Sequence, residues 1–432
     1  MQSVLDGSNA WGDRRATAQE LHATLGRLAL RHRVPGAQLA VLRDGETVMV
    51  QTGVEHQDRG EPMSAASAVP AGSITKVATA TVVMALVADD DLELDQPVGE
   101  VMGTPGLVDS LTPRRLLSHT GGLPSDPADA TGGCLREVRN AVPVCPAGTA
   151  FSYSNLGYAL AGSVIEAVTG MTWREAVEAI VLRPSKIEPV YAGSARSVPG
   201  HARATGPSEA RPVEQVLPAM LEPAGALALS ARDLVELGRI HLGKPGLLDV
   251  VTAADMHQPV PEADPFGLAD GWGLGIACFG EGDDRWLGHD GTADGTSCHL
   301  RIDQAGACVV ACTANSVAGT DLWHDLVGEL RELGVDLPAP SFGTAGARPV
   351  PVPDGDCGTY RNGAIDYTVR AEGDGAALVV DGEVYPELEL SDDATFTVRD
   401  PATGRATPCG RFRGAPGAAT AVEIGGRLAR RC

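Results

Sequence analysis

The sequence predicts an α+β fold: an antiparallel sheet flanked by helices, an inserted all-helical lobe and a small all-β domain. Three observations lead to this prediction for the 432-residue chain. A helix and a strand pair near the start are matched by several strands and a helix after residue 270. The segment between them has mostly helical periodicity, and the stretch after a Pro/Ala/Gly-rich linker has only short alternating strands.

The first elements are a helix, a hairpin and a second helix. Leucines at helical spacing predict a helix from Ala18 to Arg33, which Pro35-Gly36 ends. Residues 37–53 alternate between apolar and polar side chains around Asp44-Gly45, as in a strand hairpin. The second helix is predicted to begin at about Ser73 and to run to Leu86.

The middle of the chain is predicted to be helical and the region after it to be mainly strands. Helices are expected at Ser154–Thr169 and Thr172–Leu182, and Ser230-x-x-Asp233 resembles a capping box before another helix, which runs to Leu242. The predicted strands are Trp272–Phe279, Arg285–His289, Cys298–Asp303 and Ala307–Ala314, followed by a helix at Asp321–Leu333. We therefore predict a main domain over residues 1–336, a linker over 337–355 and a small β-barrel-like or sandwich domain over 356–432.

Composition excludes several classes of function. The formal net charge of −22 repels phosphate backbones and anionic lipid surfaces, so we expect neither a nucleic-acid nor a membrane partner. The segment from Met1 to Arg15 contains two aspartates and no apolar core of the kind that a secretory signal needs, which predicts a cytoplasmic protein if Met1 is the native start. The nine cysteines lie at irregular spacings without a C-x-x-C pair, so we predict no metal site, and no cofactor motif is present.

Ser73-Ile-Thr-Lys76 is the first segment whose residue types suggest chemistry. Its spacing places the serine and the lysine on one face at the start of a predicted helix. A serine hydroxyl becomes nucleophilic when a neighbouring base takes its proton, and a lysine with a lowered pKa is such a base. A helix-capping serine followed by a surface lysine fits this segment alone equally well.

Tyr153-Ser-Asn155 is the second such segment and precedes another predicted helix. A phenol beside a cation can pass protons between a nucleophile and a leaving group. The side-chain amide of Asn155 can hold a lysine and a substrate carbonyl. Taken alone, the segment is explained more simply by a core tyrosine and a helix cap.

The third segment, Trp-Leu-Gly-His-Asp-Gly-Thr at residues 286–292, closes a predicted strand. Gly291 permits the close approach of another backbone, as a strand beside a pocket requires. His289 can bond to a tyrosine or a carboxylate, and the N–H of Thr292 can complete an oxyanion hole. A turn with a solvent-facing His-Asp pair is the alternative.

Together, the order and separations of these segments resemble the serine β-lactamase and penicillin-binding-protein superfamily, specifically its class C β-lactamase-like branch. In that branch the third motif is Lys-Thr-Gly or His-x-Gly. Residues 116–124, Leu-Leu-Ser-His-Thr-Gly-Gly-Leu-Pro, are also similar to a segment of the branch, and we interpret them as a structural turn of the helical lobe. The resemblance covers about residues 18 to 335 and implies a β-lactamase-like fold.

The resemblance implies a role for each motif residue. Ser73 attacks a carbonyl carbon while Lys76 and Tyr153 manage its proton. Asn155 and His289 orient the tyrosine and the acyl group. The result is an acyl-enzyme on Ser73.

The same resemblance implies an oxyanion hole formed by main-chain groups. The backbone N–H groups of Ser73 and Thr292 are expected to stabilise the tetrahedral intermediate, and each such donor typically contributes about 3–4 kcal/mol. This chemistry needs neither a cofactor nor a metal ion.

Within the superfamily, the chain most resembles the stand-alone penicillin-binding-protein-type thioesterases of non-ribosomal peptide pathways. These proteins have no export signal and carry a C-terminal lipocalin-like β domain. They take a linear peptide from a carrier-protein thioester and close it head to tail, often with a D-residue at the acyl terminus. The resemblance thus implies a linear peptide substrate presented on a peptidyl carrier protein. The alternative is a cytoplasmic β-lactamase-like serine esterase or D-amino-acid peptidase, in which water resolves the acyl-enzyme.

Charge raises a further question, because carrier proteins are usually acidic and this chain is too. A local patch at Arg114-Arg115, or at Arg136 and Arg139, would offset the repulsion. Arginines of the last domain either hold polar groups of the peptide or only balance the acidic protein: Arg411, Arg413, Arg427, Arg430 and Arg431. A non-catalytic receptor is disfavoured because every catalytic position of the family pattern is filled.

Overall fold

The computed structural model describes residues 14–104, 109–203, 210–242, 246–338, 347–373, 375–401, 404 and 406–432. Most of the segment considered above for an export signal, residues 1–13, lies outside the described residues, as does the 339–346 part of the predicted linker. Contacts divide the chain into two compact units. The first comprises the described residues of 1–88, 172–254 and 279–339, and the second those of 89–171, 255–278 and 340–432.

The helices confirm most of the helical predictions. In chain order, the helices of the described residues are α1 Arg14–His32, α2 Thr75–Ala88, α3 Val98–Val101, α4 Pro113–Leu117, α5 Cys134–Asn140, α6 Asn155–Thr169, α7 Trp173–Val177, α8 Glu222–Gly225, α9 Ala231–Arg239, α10 Val250–His257 and α11 Gly319–Glu332. A π-helical turn at Glu178–Leu182 extends α7. The capping box predicted at Ser230 is present, with both of its hydrogen bonds formed to Asp233. No helix in the described part of the chain is long and apolar enough to cross a bilayer.

The strands form two large antiparallel sheets and two small pairs. In chain order they are β1 Gly36–Arg43, β2 Glu46–His56, β3 Glu61–Pro62, β4 Val69–Pro70, β5 Gly200–His201, β6 Pro212–Val213, β7 Ala228–Leu229, β8 Gly271–Trp272, β9 Ala277–Phe279, β10 Trp286–Ala293, β11 Thr296–Asp303, β12 Cys308–Ala314, β13 Pro349–Val350, β14 Gly358–Asn362, β15 Ile365–Glu372, β16 Gly375–Val380, β17 Glu383–Ser391, β18 Thr395–Arg399, β19 Ala406–Ala415, β20 Ala418–Ile424 and β21 Arg427–Arg431.

The first unit is built around one sheet. Its strands have the order β3-β2-β1-β12-β11-β10, and every neighbouring pair is antiparallel. The β1–β2 hairpin turns at Asp44 and Gly45 with φ of 52° and 82°, because a two-residue turn of this type needs positive φ at both positions. Helices α1 and α11 pack together and bury leucines such as Leu25 and Leu326.

One strand prediction was wrong. Residues 272–279 were expected to form a single strand, but they form the two short antiparallel strands β8 and β9. Gly275 between them has a φ of 85°, which turns the chain back. A side chain on Gly273 would lie 2.3 Å from the carbonyl oxygen of Met256, so this backbone is packed tightly against its neighbour.

The second unit contains the helical lobe and a closed barrel. Strands β14 to β21 form an eight-stranded antiparallel barrel, which the pairing of β17 with β18 closes, and β13 adds to the edge of β17. Its core contains aromatic residues such as Tyr360, Phe396 and Phe412. Val144 of the helical lobe shares a small cluster with Ala421 and Leu428 of the barrel. The predicted α+β fold with a lipocalin-like C-terminal domain is confirmed.

Candidate active site

The first unit brings the predicted nucleophile and the predicted base into contact. Ser73 lies in a 3₁₀ turn, Gly72–Ile74, and α2 begins just after it at Thr75. The Nζ of Lys76 is 3.1 Å from the Oγ of Ser73 and also donates to the carbonyl oxygen of Ala224, at 2.8 Å. Lys76 is completely buried, so the interpretation of this residue as a surface lysine is wrong.

Residues 223–227 hold the start of α2 in place, an arrangement that no local sequence pattern predicts. Thr79 donates from its hydroxyl to the carbonyl oxygen of Pro223 at 2.7 Å. The hydroxyl oxygen of Thr75 accepts the N–H of Leu227 at 3.0 Å. Both threonines are buried on the same side of the helix as Lys76, so the position of the lysine is fixed by hydrogen bonds on either side of it.

Strand β10 lies directly against the Ser73 turn. A Cβ atom on Gly72, whose φ is 51°, would lie 2.2 Å from the carbonyl oxygen of Thr292. A Cβ atom on Gly291 would lie 2.0 Å from the carbonyl oxygen of Ala71. The predicted close approach at Gly291 is therefore confirmed, and the backbone of Thr292 adjoins the turn that carries Ser73.

His289 is buried, so the solvent-facing alternative is wrong for this residue. Burial and, to a smaller extent, the positive charge of Lys76 lower the pKa of the His289 imidazole to about 4. The imidazole is consequently neutral near pH 7. A neutral ring can accept or donate a proton in a hydrogen bond without adding a second cation beside Lys76.

The carboxylate of Asp290, the next residue, has its own set of partners. It binds two guanidinium nitrogens of Arg301, at 2.7 and 3.0 Å, and the Nδ1 of His299, at 2.8 Å. Partial desolvation raises the pKa of this half-exposed carboxyl, but Arg301 and His299 outweigh that effect and hold the pKa far below its usual value. His289 is thus buried and neutral near pH 7, whereas the neighbouring Asp290 carries a negative charge that is paired with Arg301 and His299.

In the second unit, Tyr153 and Asn155 flank the residue that caps α6. Ser154 accepts the N–H of Gly157 with its hydroxyl oxygen, at 2.9 Å, and donates from that hydroxyl to Pro124, at 2.6 Å. The helix-cap interpretation is correct for Ser154, and Tyr153 is buried. Both features are compatible with a chemical role for the two outer residues.

The backbone around Tyr153 is bonded to three separate parts of the chain. Four N–H groups have acceptors: Ser152 to the carbonyl of His119 at 2.9 Å, Tyr153 to the carbonyl of Gly426 at 2.9 Å, Ser154 to the Nδ1 of His119 at 3.1 Å and Asn155 to the carbonyl of Ser125 at 2.7 Å. The acceptors come from the end of α4, the loop after it and the turn between β20 and β21. Residues 152–155, which we call the Tyr153 turn, therefore have a fixed conformation.

Three side chains of the second unit contact the Tyr153 ring, and one of them, Trp272, meets it edge-on with ring centroids 5.8 Å apart. The imidazole of His119 is stacked on it, with ring centroids 4.2 Å apart and planes inclined by 30°. The guanidinium carbon of Arg427, from the barrel, lies 5.4 Å from the ring centroid. A cation over an aromatic face is attracted by the electrons of the ring, so the tyrosine has one charged neighbour besides the rings of His119 and Trp272.

Asn155 and Asn362 connect this turn to its surroundings. The side-chain N–H of Asn155 donates to Asp126 at 2.8 Å. Asn362, completely buried in the barrel, accepts the N–H of Ser125 at 2.7 Å and donates to the carbonyl of Leu428 at 2.8 Å and to the Oγ of Ser152 at 3.3 Å. Sequence reasoning missed Asn362 because a single asparagine in a strand region carries no motif.

A cavity of about 460 Å³ opens beside the same turn, within the second unit. Its walls include Asp126 and Leu156 from the helical lobe and Arg361 and Arg430 from the barrel. Cavities of about 300–1,000 Å³ with apolar walls and a few polar groups are typical of ligand sites. Asp126 is both a wall of this cavity and the hydrogen-bond partner of Asn155.

Comparisons with known proteins agree with these features. The sequence profile of the β-lactamase family matches residues 14–328. The chain belongs to the β-lactamase family. Penicillin-binding protein 4 of Amycolatopsis lactamdurans is 33% identical over 355 residues, which cover 75% of this chain and 93% of that protein.

Solved structures extend the similarity beyond the family match. The crystal structure of SurE superposes with a TM-score of 0.85 at 36% identity and covers 97% of this chain and 100% of SurE. A D-stereospecific amidohydrolase from Streptomyces sp. superposes with a TM-score of 0.58 at 26% identity, over 72% of this chain and 98% of its own. The match to SurE thus includes both the β-lactamase part and the barrel.

Family membership establishes the general chemistry. The β-lactamases and penicillin-binding proteins are serine hydrolases that work through an acyl-enzyme, and this chain has the same kind of chemistry. The Ser73–Lys76 contact is the arrangement that a serine nucleophile and its base require.

Proposed function

We propose that this β-lactamase-family protein is a peptide cyclase. It takes a linear non-ribosomal peptide from a carrier-protein thioester, holds it as an ester on Ser73 and releases it by head-to-tail macrolactam formation. The partner is a peptidyl carrier protein that presents the linear peptide. The alternative is a hydrolase that uses water in the last step.

The proposed reaction has two balanced halves. Ser73 loses its proton to the Lys76 and Tyr153 pair and attacks the thioester carbonyl, and the carrier thiol leaves with a proton. The peptide's own amino group then attacks the Ser73 ester, an amide bond forms, and the serine oxygen regains a proton. The N–H groups of Ser73 and Thr292 stabilise the oxyanion in both halves, and Asn155 and His289 orient the reacting groups.

The observation that carries the proposal is the participation of the barrel in the Tyr153 turn. The carbonyl of Gly426 accepts the N–H of Tyr153, and Arg427 lies over the ring of the same tyrosine. The attack of water on an acyl-enzyme does not by itself require a second domain at this residue. A domain at this point supports the exclusion of water and the binding of an incoming peptide end.

Energetics favour an intramolecular amine once water is kept away. Effective molarities of well-oriented intramolecular reactions reach about 10⁵–10⁸ M, far above the concentration of water. The outcome therefore depends on whether the peptide is held with its two ends together. The 460 Å³ cavity between the helical lobe and the barrel offers a surface for part of that peptide.

The hydrolase alternative is supported by the similarity of this chain to known hydrolases. The Streptomyces D-stereospecific amidohydrolase is 26% identical to this chain. A crystal structure of SurE with D-Leu also superposes well, with a TM-score of 0.81. A D-residue at the acyl position is compatible with both candidates, so stereochemistry alone does not separate them and the product must be identified.

The proposed carrier protein needs a basic patch on a chain of net charge −22. Arg114 is paired with Asp95, and Arg136 with Asp129, so these two charges are already neutralised. Arg139 is exposed, and the described residues offer it no ion pair. We therefore place the carrier contact at α5, with Arg139 as its centre.

The test is mass spectrometry of the products from linear peptidyl pantetheine thioesters with D- or L-residues at the acyl end. A product lighter than the peptide acid by one water supports the cyclase. Free acid as the sole product from every member of the panel contradicts it and supports the hydrolase. Ser73→Ala and Lys76→Ala should each abolish turnover, and turnover by Ser73→Ala would contradict the acyl-enzyme itself.

Two charge variants test the role of the barrel and of the carrier contact. Arg427→Ala is expected to raise the fraction of linear acid, whereas Arg370→Ala, at an exposed barrel arginine, should leave the ratio of cyclic product to linear acid unchanged.

Arg139→Glu should slow the reaction of carrier-bound peptide at low salt and leave pantetheine substrates unaffected. Equal effects on both kinds of substrate would contradict the carrier contact.

A further inference from the structure

His119 occupies a backbone position that glycine usually fills. Helix α4 ends in a Schellman turn. In it, the N–H of His119 donates to the carbonyl oxygen of Leu116 at 3.3 Å, and the N–H of Thr120 donates to the carbonyl oxygen of Arg115 at 3.0 Å. His119 is the residue of this turn with left-handed backbone, and its φ is 57°. This conformation costs a non-glycine residue about 1–2 kcal/mol, so glycine would form the turn more easily.

The strained residue is bonded on both sides of Tyr153. The carbonyl of His119 accepts the N–H of Ser152 at 2.9 Å, and its Nδ1 accepts the N–H of Ser154 at 3.1 Å. Its ring is stacked on the phenol ring at 4.2 Å. One residue therefore fixes the main chain on both sides of Tyr153 as well as the plane of its ring.

The surroundings leave the imidazole only one useful orientation. Phe151, Tyr158 and Trp272 enclose it at centroid distances of 5.5, 5.1 and 5.2 Å. Because Nδ1 accepts a hydrogen bond, the ring is neutral and carries its proton on Nε2. A ring turned by 180° would present a carbon atom to the N–H of Ser154 and lose that bond.

We infer that His119 is a positioning residue for acyl transfer: it holds the Tyr153 phenol in the single geometry in which proton transfer occurs. Strained backbone that is retained at a functional site indicates that the side chain of the strained residue has a function there. Here the side chain holds Tyr153 rigidly, which a glycine in the same turn could not do. The inference rests on the acyl-enzyme chemistry of the family and does not depend on whether water or an amine resolves the ester.

The experiment measures acylation of Ser73 by p-nitrophenyl acetate in the full chain. Stopped-flow release of p-nitrophenolate gives the acylation rate constant and the Kd of the ester, with Ser73→Ala as the background. An activated ester is used because its reaction does not depend on peptide specificity. Three substitutions separate the contributions: His119→Gly, His119→Asn and His119→Phe.

Each substitution keeps a different part of the residue. Glycine relieves the turn but removes the ring. Asparagine adopts left-handed backbone readily and provides an acceptor oxygen for the N–H of Ser154. Phenylalanine keeps a ring against Tyr153 but accepts no hydrogen bond.

We expect His119→Gly to lower the acylation rate constant by about 100-fold while the Kd of the ester changes by less than about twofold, because misplaced proton-transfer groups affect the reaction and not ester binding. His119→Asn should recover about tenfold of this loss and exceed His119→Phe. Added imidazole should accelerate the glycine variant, and toluene should not. Wild-type acylation by the glycine variant would show that the residue serves the turn alone and would overturn the inference.

Stability is controlled with a second buried histidine. His241 is completely buried in the first unit, and its carbonyl binds Gln304 in the turn between β11 and β12. His241→Gly should alter the melting temperature without changing the acylation rate constant by more than about twofold. If His119→Gly melts below the assay temperature, the order of the asparagine and phenylalanine variants decides, and equal rates or the reverse order would overturn the inference.

Discussion

Two turns carry the residues predicted to do the chemistry, and they are held in different ways. The Ser73 turn depends on glycine. Because Gly72 and Gly291 have no side chain, the backbone of the turn and the backbone of β10 are in contact. The Tyr153 turn depends on polar groups contributed by distant segments, such as the buried amide of Asn362. The first is therefore sensitive to any added side chain, and the second to any lost hydrogen bond.

The largest effect is expected from breaking the steric contact of the Ser73 turn. The Cβ atom of Gly291→Val would lie 2.0 Å from the carbonyl oxygen of Ala71, so the strand and the turn must separate. We expect acylation by p-nitrophenyl acetate to fall by more than about 100-fold. Gly328→Ala is the matched control, because open space surrounds that residue in α11 and it should retain full activity. Retention of activity by Gly291→Val would contradict the steric account.

The hydrogen-bonded turn should respond to the loss of Asn362. Asn362→Ala leaves the N–H of Ser125 and the carbonyl of Leu428 without their partner inside the protein. Each buried unsatisfied group costs about 1–3 kcal/mol, so the free energy of unfolding should fall by about 3 kcal/mol. Urea denaturation measures this change, and Asn140→Ala, an exposed asparagine, should shift it by less than about 0.5 kcal/mol. An equal shift in both variants would refute the role of the amide.

The pH dependence of stability tests the environment of the Ser73 turn. The pKa of His289 is about 4 in the folded protein and about 6.5 in an unfolded chain, so the unfolded state binds the extra proton between these values. Stability is thus lost as the pH falls below 6.5, by about 2 kcal/mol between pH 7.5 and 5. His289→Asn should lack this contribution, and urea denaturation of both proteins at the two pH values checks it. A variant with the same pH dependence as the wild type would mean that His289 is not responsible.

A smaller effect is expected at Asp290, whose carboxylate is half exposed. Its pKa is lowered in the folded state by Arg301 and His299 against the effect of burial, so its contribution is present above about pH 4 and is lost as the pH falls. Solvent screens the pair, and Asp290→Asn should reduce the free energy of unfolding at pH 7 by about 1 kcal/mol. The difference from the wild type should shrink at pH 3. A difference that is constant with pH would rule out an ionic origin.

The same contrast explains what the sequence could predict. Ser73 and Lys76 are three residues apart on one helical turn, so spacing alone places them together. The hairpin at Asp44-Gly45 and the close approach at Gly291 follow from local backbone rules in the same way. Contacts that depend on one or two residues and their immediate neighbours can be predicted from a single sequence.

The support of the Tyr153 turn was not predictable from local rules. Ser125 and its acceptor Asn362 are 237 positions apart, and no periodicity connects them. His119 was recognised as part of a family segment but was assigned only a structural role. Nothing in its neighbours along the chain indicates that its ring stacks on Tyr153, because that contact is created by tertiary packing of α4 against α6.

The bond from the N–H of Leu428 to the Oγ of Ser152 spans 276 positions of the chain. At about 5–20 residues per second, roughly 14–55 s of protein synthesis separate these two residues. The tyrosine turn of a growing chain therefore lacks its barrel partners long after the segment containing Ser73 and Lys76 has left the ribosome. A ribosome-bound chain has its predicted nucleophile early and its predicted proton-transfer turn late, so we expect complete activity only once the last barrel strand has been made.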